Sequence, residues 1–363
     1  MPSAYKIRIR DRSTGDLQAE FTDFLSLNVQ QLVDGAGKVE FDLQASHNAI
    51  PDLTDKAIIE VWRRNADQDI DWYLLMPALF RDEKRYYDRR SKRFKALCSG
   101  LNSILGWRIV NWPADVTQRT KFITSGAEAV MKTIVNYNLG GSATTANGRK
   151  RTGTITNFTV EASGGGGNTI NHFCAQDNVL ETLQKVALIG GGDFDVVLVN
   201  NYQYEFRFYD GLLGTDRSAD VIFSLLRGNM ANPSYERIRS TEKTVAAVWG
   251  RGEDAEREYV TRTGAGFAAD NDIEFYVDAR TSEPDAYNDV GDKKLLEKQS
   301  VDDFRFDVLQ TPASFYGKHY FLGDRVKAEW DEITATPKIV SATISFNTFT
   351  RKEEISIGMD NRT

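Results

Sequence analysis

The stretch Tyr316-Gly317-Lys318-His319-Tyr320-Phe321-Leu322-Gly323-Asp324-Arg325-Val326 reads as a turn that opens into a buried strand. Gly323 lacks a Cβ, so it takes the positive φ of a tight turn without steric penalty. Asp324 beside it carries a short carboxylate that bonds back to amides of its own turn. Beyond it Val326, Ala328 and Trp330 share one face of a strand, and Lys327 and Glu329 the other. That two-residue period is the mark of a strand with one side against a core.

The same period recurs on both sides of this stretch. Tyr5, Ile7 and Ile9 alternate with Lys6, Arg8 and Arg10. Leu25, Leu27 and Val29 precede the turn residues Asp34-Gly35-Ala36-Gly37, and Val39, Phe41 and Leu43 follow them, which predicts a hairpin. Further strands are expected near 58–63, 71–80, 84–88 and 93–98, enough for a small barrel or sandwich. Towards the C-terminus strands are expected at 221–225, 244–249, 256–262, 273–277, 304–309, 324–330, 338–346 and 353–357. Val340, Ala342, Ile344 and Phe346 form one expected buried face.

The centre has a different period. Ser125-Gly126-Ala127-Glu128 has the capping-box pattern, and Ala127, Val130, Met131, Ile134 and Val135 follow at helical spacing up to Gly140. A second helix is expected from Asn178, with Glu181 in the box position and Gly190–Gly192 as its stop. A hairpin follows, turning at Asn200-Asn201, with Tyr202, Tyr204, Phe206 and Phe208 on one face. That row suits a core, or else the stacking of sugars or bases. A third helix is expected near 285–299. The loops 140–150 and Gly164–Gly167 read as mobile and exposed. The fold class is therefore β-rich α+β: two small β-barrel-like domains, 1–105 and 219–363, flank a mixed α/β insert, 106–218.

Composition excludes several functions. The 363 residues include 45 Lys and Arg against 52 Asp and Glu, for a net charge of −7. Such a chain lacks the broad cationic surface that sequence-specific nucleic-acid binding exploits, although lining a pore through which DNA passes stays open. Cys98 and Cys174 are too few for a disulfide framework and read as buried thiols. Met1–Lys6 opens no signal core, and no run is long and apolar enough to span a membrane. His47, His172 and His319 form no metal-binding pattern; His172 and Cys174, two apart, lack further ligands. Gly164–Gly167 has the composition of a phosphate loop without its flanking motif. Arg149-Lys150-Arg151 reads as a solvated loop or a contact to an acidic partner. Asp302-Asp303 and Glu253-Asp254 read as exposed strand ends or turns, and no nucleophile elbow is present. No catalytic residue, cofactor or metal is expected.

A series of blocks in one order resembles siphophage tail-tip hub proteins. The blocks are Val221-Ile222-Phe223-Ser224, Arg227-Gly228-Asn229-Met230, Thr244–Gly250, Ile273–Arg280, Tyr316–Val326 and Ile355–Gly358. Asn229 suits a turn after Leu225-Leu226, and Asn229, Gly250, Gly323 and Asp324 stand as the structural-motif residues. The resemblance implies a fold like the central hub of contractile-tail baseplates. It implies a homotrimeric ring on the virion that caps the tail tube, adapts sixfold to threefold symmetry and gates DNA exit. Its implied partners are a distal-tail or tail-tube ring on one side and a tip fibre, spike or tape-measure end on the other. Relatives often carry C-terminal hydrolase or receptor-binding modules. This sequence stops soon after Gly358-Met359-Asp360, so those activities are expected on another polypeptide. The rival expectation is a glycan-binding or glycan-cleaving tail component, and a weaker one is a cellular injection-particle hub.

Overall fold

Nine strands form the largest sheet, and its two ends come from opposite ends of the chain. The computed structural model describes residues 3–88, 91–111 and 120–361, so Met1 and Pro2 of the N-terminal reading lie outside it. The order across the sheet is Leu17–Phe21, Ala4–Arg10, Ile58–Asn65, Ile70–Asp88, Ser91–Gly100, Lys38–Gln44, Ser26–Leu32, Lys338–Asn347 and Lys352–Asp360. The expected strands at 71–80 and 84–88 are one strand of 19 residues, interrupted by a register shift between Phe80 and Asp82.

Alternation explains the packing. Tyr5, Ile7 and Ile9 are buried inward while Lys6, Arg8 and Arg10 face out. The inward residues of Ser26–Leu32 and Lys338–Asn347 continue the same core. Ala342, Ile344 and Phe346 are buried as their spacing predicts, but Val340 is not in phase with them. A bulge between Ile339 and Ser341 shifts the register, so Ile339 takes the buried place.

The ladder does not close into a barrel. Among the described residues no backbone pairing joins Leu17–Phe21 to Lys352–Asp360. Side chains span the gap instead: the Tyr5 ring lies 4.8 Å from that of Phe346. The segments 1–105 and 219–363, expected as separate units, therefore share this sheet through Lys338–Asp360. The reason is the inward apolar face of that C-terminal hairpin, which pairs with Ser26–Leu32 from Ser341 to Asn347.

The mixed centre keeps its own core. Helix α1 (Ala127–Asn138) and helix α2 (Val179–Gly190) pack on the hairpin Gly192–Val199/Gln203–Asp210. Asn200 and Asn201 both have positive φ, as a two-residue hairpin turn demands. A third, small unit packs helix α3 (Tyr287–Lys298) on one face of the strands Val245–Trp249, Tyr259–Thr263 and Glu274–Asp278. No helix is long and apolar enough to cross a membrane among the described residues.

Candidate functional site: buried charged links between distant segments

The four motif residues occupy three turns. Gly323 has φ +84°, and a methyl group there would lie 2.6 Å from the Gly214 amide nitrogen. Asp324 is buried and accepts three hydrogen bonds: from the Phe321 amide (2.8 Å), the Thr215 amide (2.7 Å) and Arg217 Nε (2.7 Å). It thus bonds back into its own turn and also anchors a segment more than a hundred residues earlier. Asn229 accepts from the Ser224 amide at 2.9 Å and donates to the Ile222 carbonyl at 2.9 Å, locking the turn around Leu225-Leu226. Gly250 sits in the small unit, where a Cβ would lie 2.2 Å from Tyr287 Cζ; the ring packs directly on the backbone. No hydrogen bond joins these three turns to one another among the described residues.

A stronger link escaped the sequence reading. Arg63 lies on the inward phase of Ile58–Asn65, beside Ile59 and Val61, and is fully buried. Its guanidinium grips Glu353 with two parallel bonds, Nε to Oε1 and Nη2 to Oε2, both 2.9 Å. Its remaining donors reach Tyr73 Oη (3.0 Å) and the Tyr316 carbonyl (2.8 Å). The Tyr5 hydroxyl donates to Glu353 as well. Burial opposes the guanidinium's charge, but Tyr5 and Glu353 outweigh it and push its pKa up. The cluster ties the third strand of the large sheet to the ninth and to the opening of the Tyr316–Val326 stretch. The detectable signal was an arginine at an apolar phase of a strand.

A second link joins the large sheet to the centre. Lys338 Nζ meets Asp193 Oδ1 at 2.5 Å, and Asp193 Oδ2 accepts from the Leu213 amide at 2.6 Å. Asp34 Oδ1 accepts from the Phe194 amide at 2.7 Å, while its carbonyl accepts from Gln184 Nε2 at 2.8 Å. Asn102 bridges the Val196 amide (2.7 Å) and the Gly35 carbonyl (3.1 Å). Burial, reinforced by Asp193, pushes the Asp34 carboxyl up to about 7. Burial raises Asp195 to about 7 too. Three carboxylates therefore share a neighbourhood with one lysine.

Other expected features take different roles. Ser125 does not cap α1. It ends the strand Thr120–Gly126, Gly126 is the N-cap, and Ser125 Oγ donates to the Ile123 carbonyl at 3.1 Å. Glu128 instead turns to the glycine loop, accepting from the amides of Gly164 (2.8 Å) and Gly166 (2.6 Å) and from Lys132 Nζ (2.6 Å). These bonds outweigh its burial and hold the carboxyl down at about 2. The glycine loop is thus pinned rather than mobile, and its amides are taken by a carboxylate of the chain itself. Arg149 is buried, with its guanidinium on Asn138 Oδ1 (3.3 Å) and the Arg151 and Ile109 carbonyls, so it is structural and not part of a solvated run. Tyr204, Phe206 and Phe208 are buried in the central core, which removes them from any ligand. His172 and Cys174 share the strand Thr169–Cys174, and burial lowers the His172 imidazole to about 4. No group of metal-binding residues is present among the described residues. Asp302 and Asp303 lie within the strand Val301–Val308, paired with Arg237 and Arg305.

The family model described as Siphovirus ReqiPepy6 Gp37-like protein matches residues 6–359. The chain belongs to that siphovirus family. Its members' fold is shared more widely. A prophage MuSo2 tail protein from Shewanella oneidensis superposes with a TM-score of 0.58 at 9% identity, over 99% of this chain and 98% of that one. The tail protein from Neisseria meningitidis MC58 gives 0.56 at 11% identity, over 99% and 97%. A chain of the Francisella PdpA–VgrG complex gives 0.54 at 10% identity, over 99% of this chain but 58% of that one. No curated protein matches the sequence. The siphovirus chain therefore has the fold of phage tail proteins along its whole described length, without a closed barrel.

Proposed function

We propose that this chain is a structural hub at a siphovirus tail tip. Three copies close a ring that caps the tail tube, adapts its sixfold symmetry to a threefold tip and gates DNA exit. One face of the ring meets a tail-tube or distal-tail ring, and the other a fibre, spike or tape-measure end. The observation that carries the reading is the pair of buried charged links. They fasten together segments 290 and 145 residues apart in sequence, as a load-bearing ring subunit requires. The family membership and the shared fold with tail proteins support the same reading. The motif residues Asn229, Gly250, Gly323 and Asp324 act here as turn makers that hold the ring-forming surfaces in shape.

The test is mass measurement of the purified chain alone and with the tail-tube or distal-tail protein from the same virion. A threefold species that joins the tube protein supports the hub. A strict monomer that joins neither sinks it. The glycan reading loses part of its motive, because Tyr204, Phe206 and Phe208 point into the core, while Trp249 stays half-buried beside the exposed Tyr259.

A further inference from the structure

The first strand of the protein has a polar face that is entirely cationic. Lys6, Arg8 and Arg10 point away from the core, and Arg64 joins them on the neighbouring strand, opposite Ala4. Tryptophans are set among them. Lys6 Nζ stands 5.5 Å from the Trp62 ring and 4.9 Å from Trp72; Arg8 lies 4.8 Å from Trp62 and Arg64 5.1 Å from Trp72. Further along the same edge Arg12, Lys56 and Arg81 gather around Trp107 at 5.4–5.9 Å. Glu20 pairs with both Lys6 (3.5 Å) and Arg8, and Glu60 with Arg10, so two carboxylates face the four cations Lys6, Arg8, Arg10 and Arg64. In a chain of net charge −7, this face makes the remaining surface more acidic still.

The counterpart is on the same chain. A groove of about 730 Å³ runs between Val301–Val308 and Lys352–Asp360, and Asp302, Asp303, Asp307 and Asp360 line it with Arg305. The partners of Asp302 and Asp303, Arg237 and Arg305, are themselves 55% and 80% exposed and so are free to exchange partners.

We infer that the Lys6–Arg8–Arg64 face of one copy docks on the Asp302–Asp307 groove of the next copy, a head-to-tail contact that closes the ring; this rests on the ring reading above. Charge complementarity between two different surfaces of one chain is what a heterologous, ring-closing interface needs. The composition fits a protein partner better than a nucleic acid. Side chains of Lys6 and Arg8 are only 16% and 23% exposed, with their charged ends held over tryptophan rings. Trp and Arg together are the residues that dominate interface energy.

The experiment compares four full-length chains by native mass at low and high salt, with thermal unfolding to confirm folding. The unaltered chain should assemble, and less so at high salt. Lys6→Glu with Arg64→Glu should weaken assembly on the order of tenfold or more. Asp302→Lys with Asp307→Lys should do the same, and the chain carrying all four changes should recover it. If either charge-reversed chain assembles as the unaltered one does, or if the fourfold change fails to recover assembly, the docking is wrong while the ring stands. If the unaltered chain is strictly monomeric, both fall. If Lys6→Glu with Arg64→Glu abolishes binding to duplex DNA without changing the mass, the face serves nucleic acid and the inference is overturned.

Discussion

The two buried links differ in charge balance. Arg63 faces Glu353 one to one, with Nη1 donating to a tyrosine hydroxyl and a carbonyl oxygen. Lys338 faces Asp193 with Asp34 and Asp195 close by, an excess of carboxylate. The first link sets one carboxylate against one guanidinium. The second is oversupplied with acid, so proton binding should tune it. One architecture thus contains a fixed fastening within the sheet and an adjustable one between the sheet and the centre.

The largest test breaks the balanced link. Glu353→Ala leaves Arg63 buried without a counter-charge and should cost about 3–5 kcal/mol, read by denaturant unfolding. A loss below about 1 kcal/mol would mean water reaches the guanidinium and the link is not dry. Next, Lys338→Met removes the cation beside Asp193, Asp34 and Asp195 and should cost about 2–4 kcal/mol at pH 8, less at pH 5, where Asp34 and Asp195 hold their protons in the folded chain. An equal loss at both pH values would remove the contrast drawn above.

The third test concerns sign. Asp34 holds its proton to about 7 when folded, against an ordinary value of 3.8. Between those values the folded chain binds more protons than the unfolded one, so this group's stabilising contribution is full below pH 3.8 and is lost as pH rises through 7. Asp34→Asn should therefore raise stability at pH 8 by about 1–2 kcal/mol and flatten part of the slope between pH 4 and 7, Asp195 supplying the rest. Unfolding curves of both chains across that range decide it; a steeper slope in Asp34→Asn would refute the assignment. The smallest effect belongs to neither link. Ser125→Ala should shift stability by less than about 0.5 kcal/mol because its hydroxyl caps nothing, whereas Asn178→Ala should cost about 1 kcal/mol. Thermal melts of the pair separate these outcomes.

The two helix starts show what the sequence could and could not reveal. Asn178-x-x-Glu181 and Ser125-x-x-Glu128 carry equivalent patterns. Asn178 Oδ1 accepts from Leu180 (3.0 Å) and Glu181 as the pattern predicts. At Ser125 the preceding chain is a strand paired with Thr169–Cys174, so the serine is held in the ladder and the glutamate is released to the glycine loop. Local pattern was legible; competition from a strand forty residues away was not. Likewise, alternation located the strands of the large sheet except the edge strand Leu17–Phe21, yet nothing local says that Ser341–Asn347 pairs with Ser26–Leu32. Gly323 and Asp324 announced their turn by residue type. Asp324's reach to Thr215 and Arg217 did not, because tertiary partners leave no local mark.

The pairing of Ser26–Leu32 with Ser341–Asn347 also sets a schedule. While the ribosome is still making the chain, the N-terminal strands can pair with one another, but Ser26–Leu32 keeps one edge bare until Lys338–Asn347 emerges. Contacts so distant in sequence form slowly, and a bare strand edge is an invitation to pair with the wrong chain. Termination ahead of Lys338 would leave the large sheet adhesive along that edge. Synthesis of Lys338–Asn347 therefore acts as the molecule's own licence to assemble.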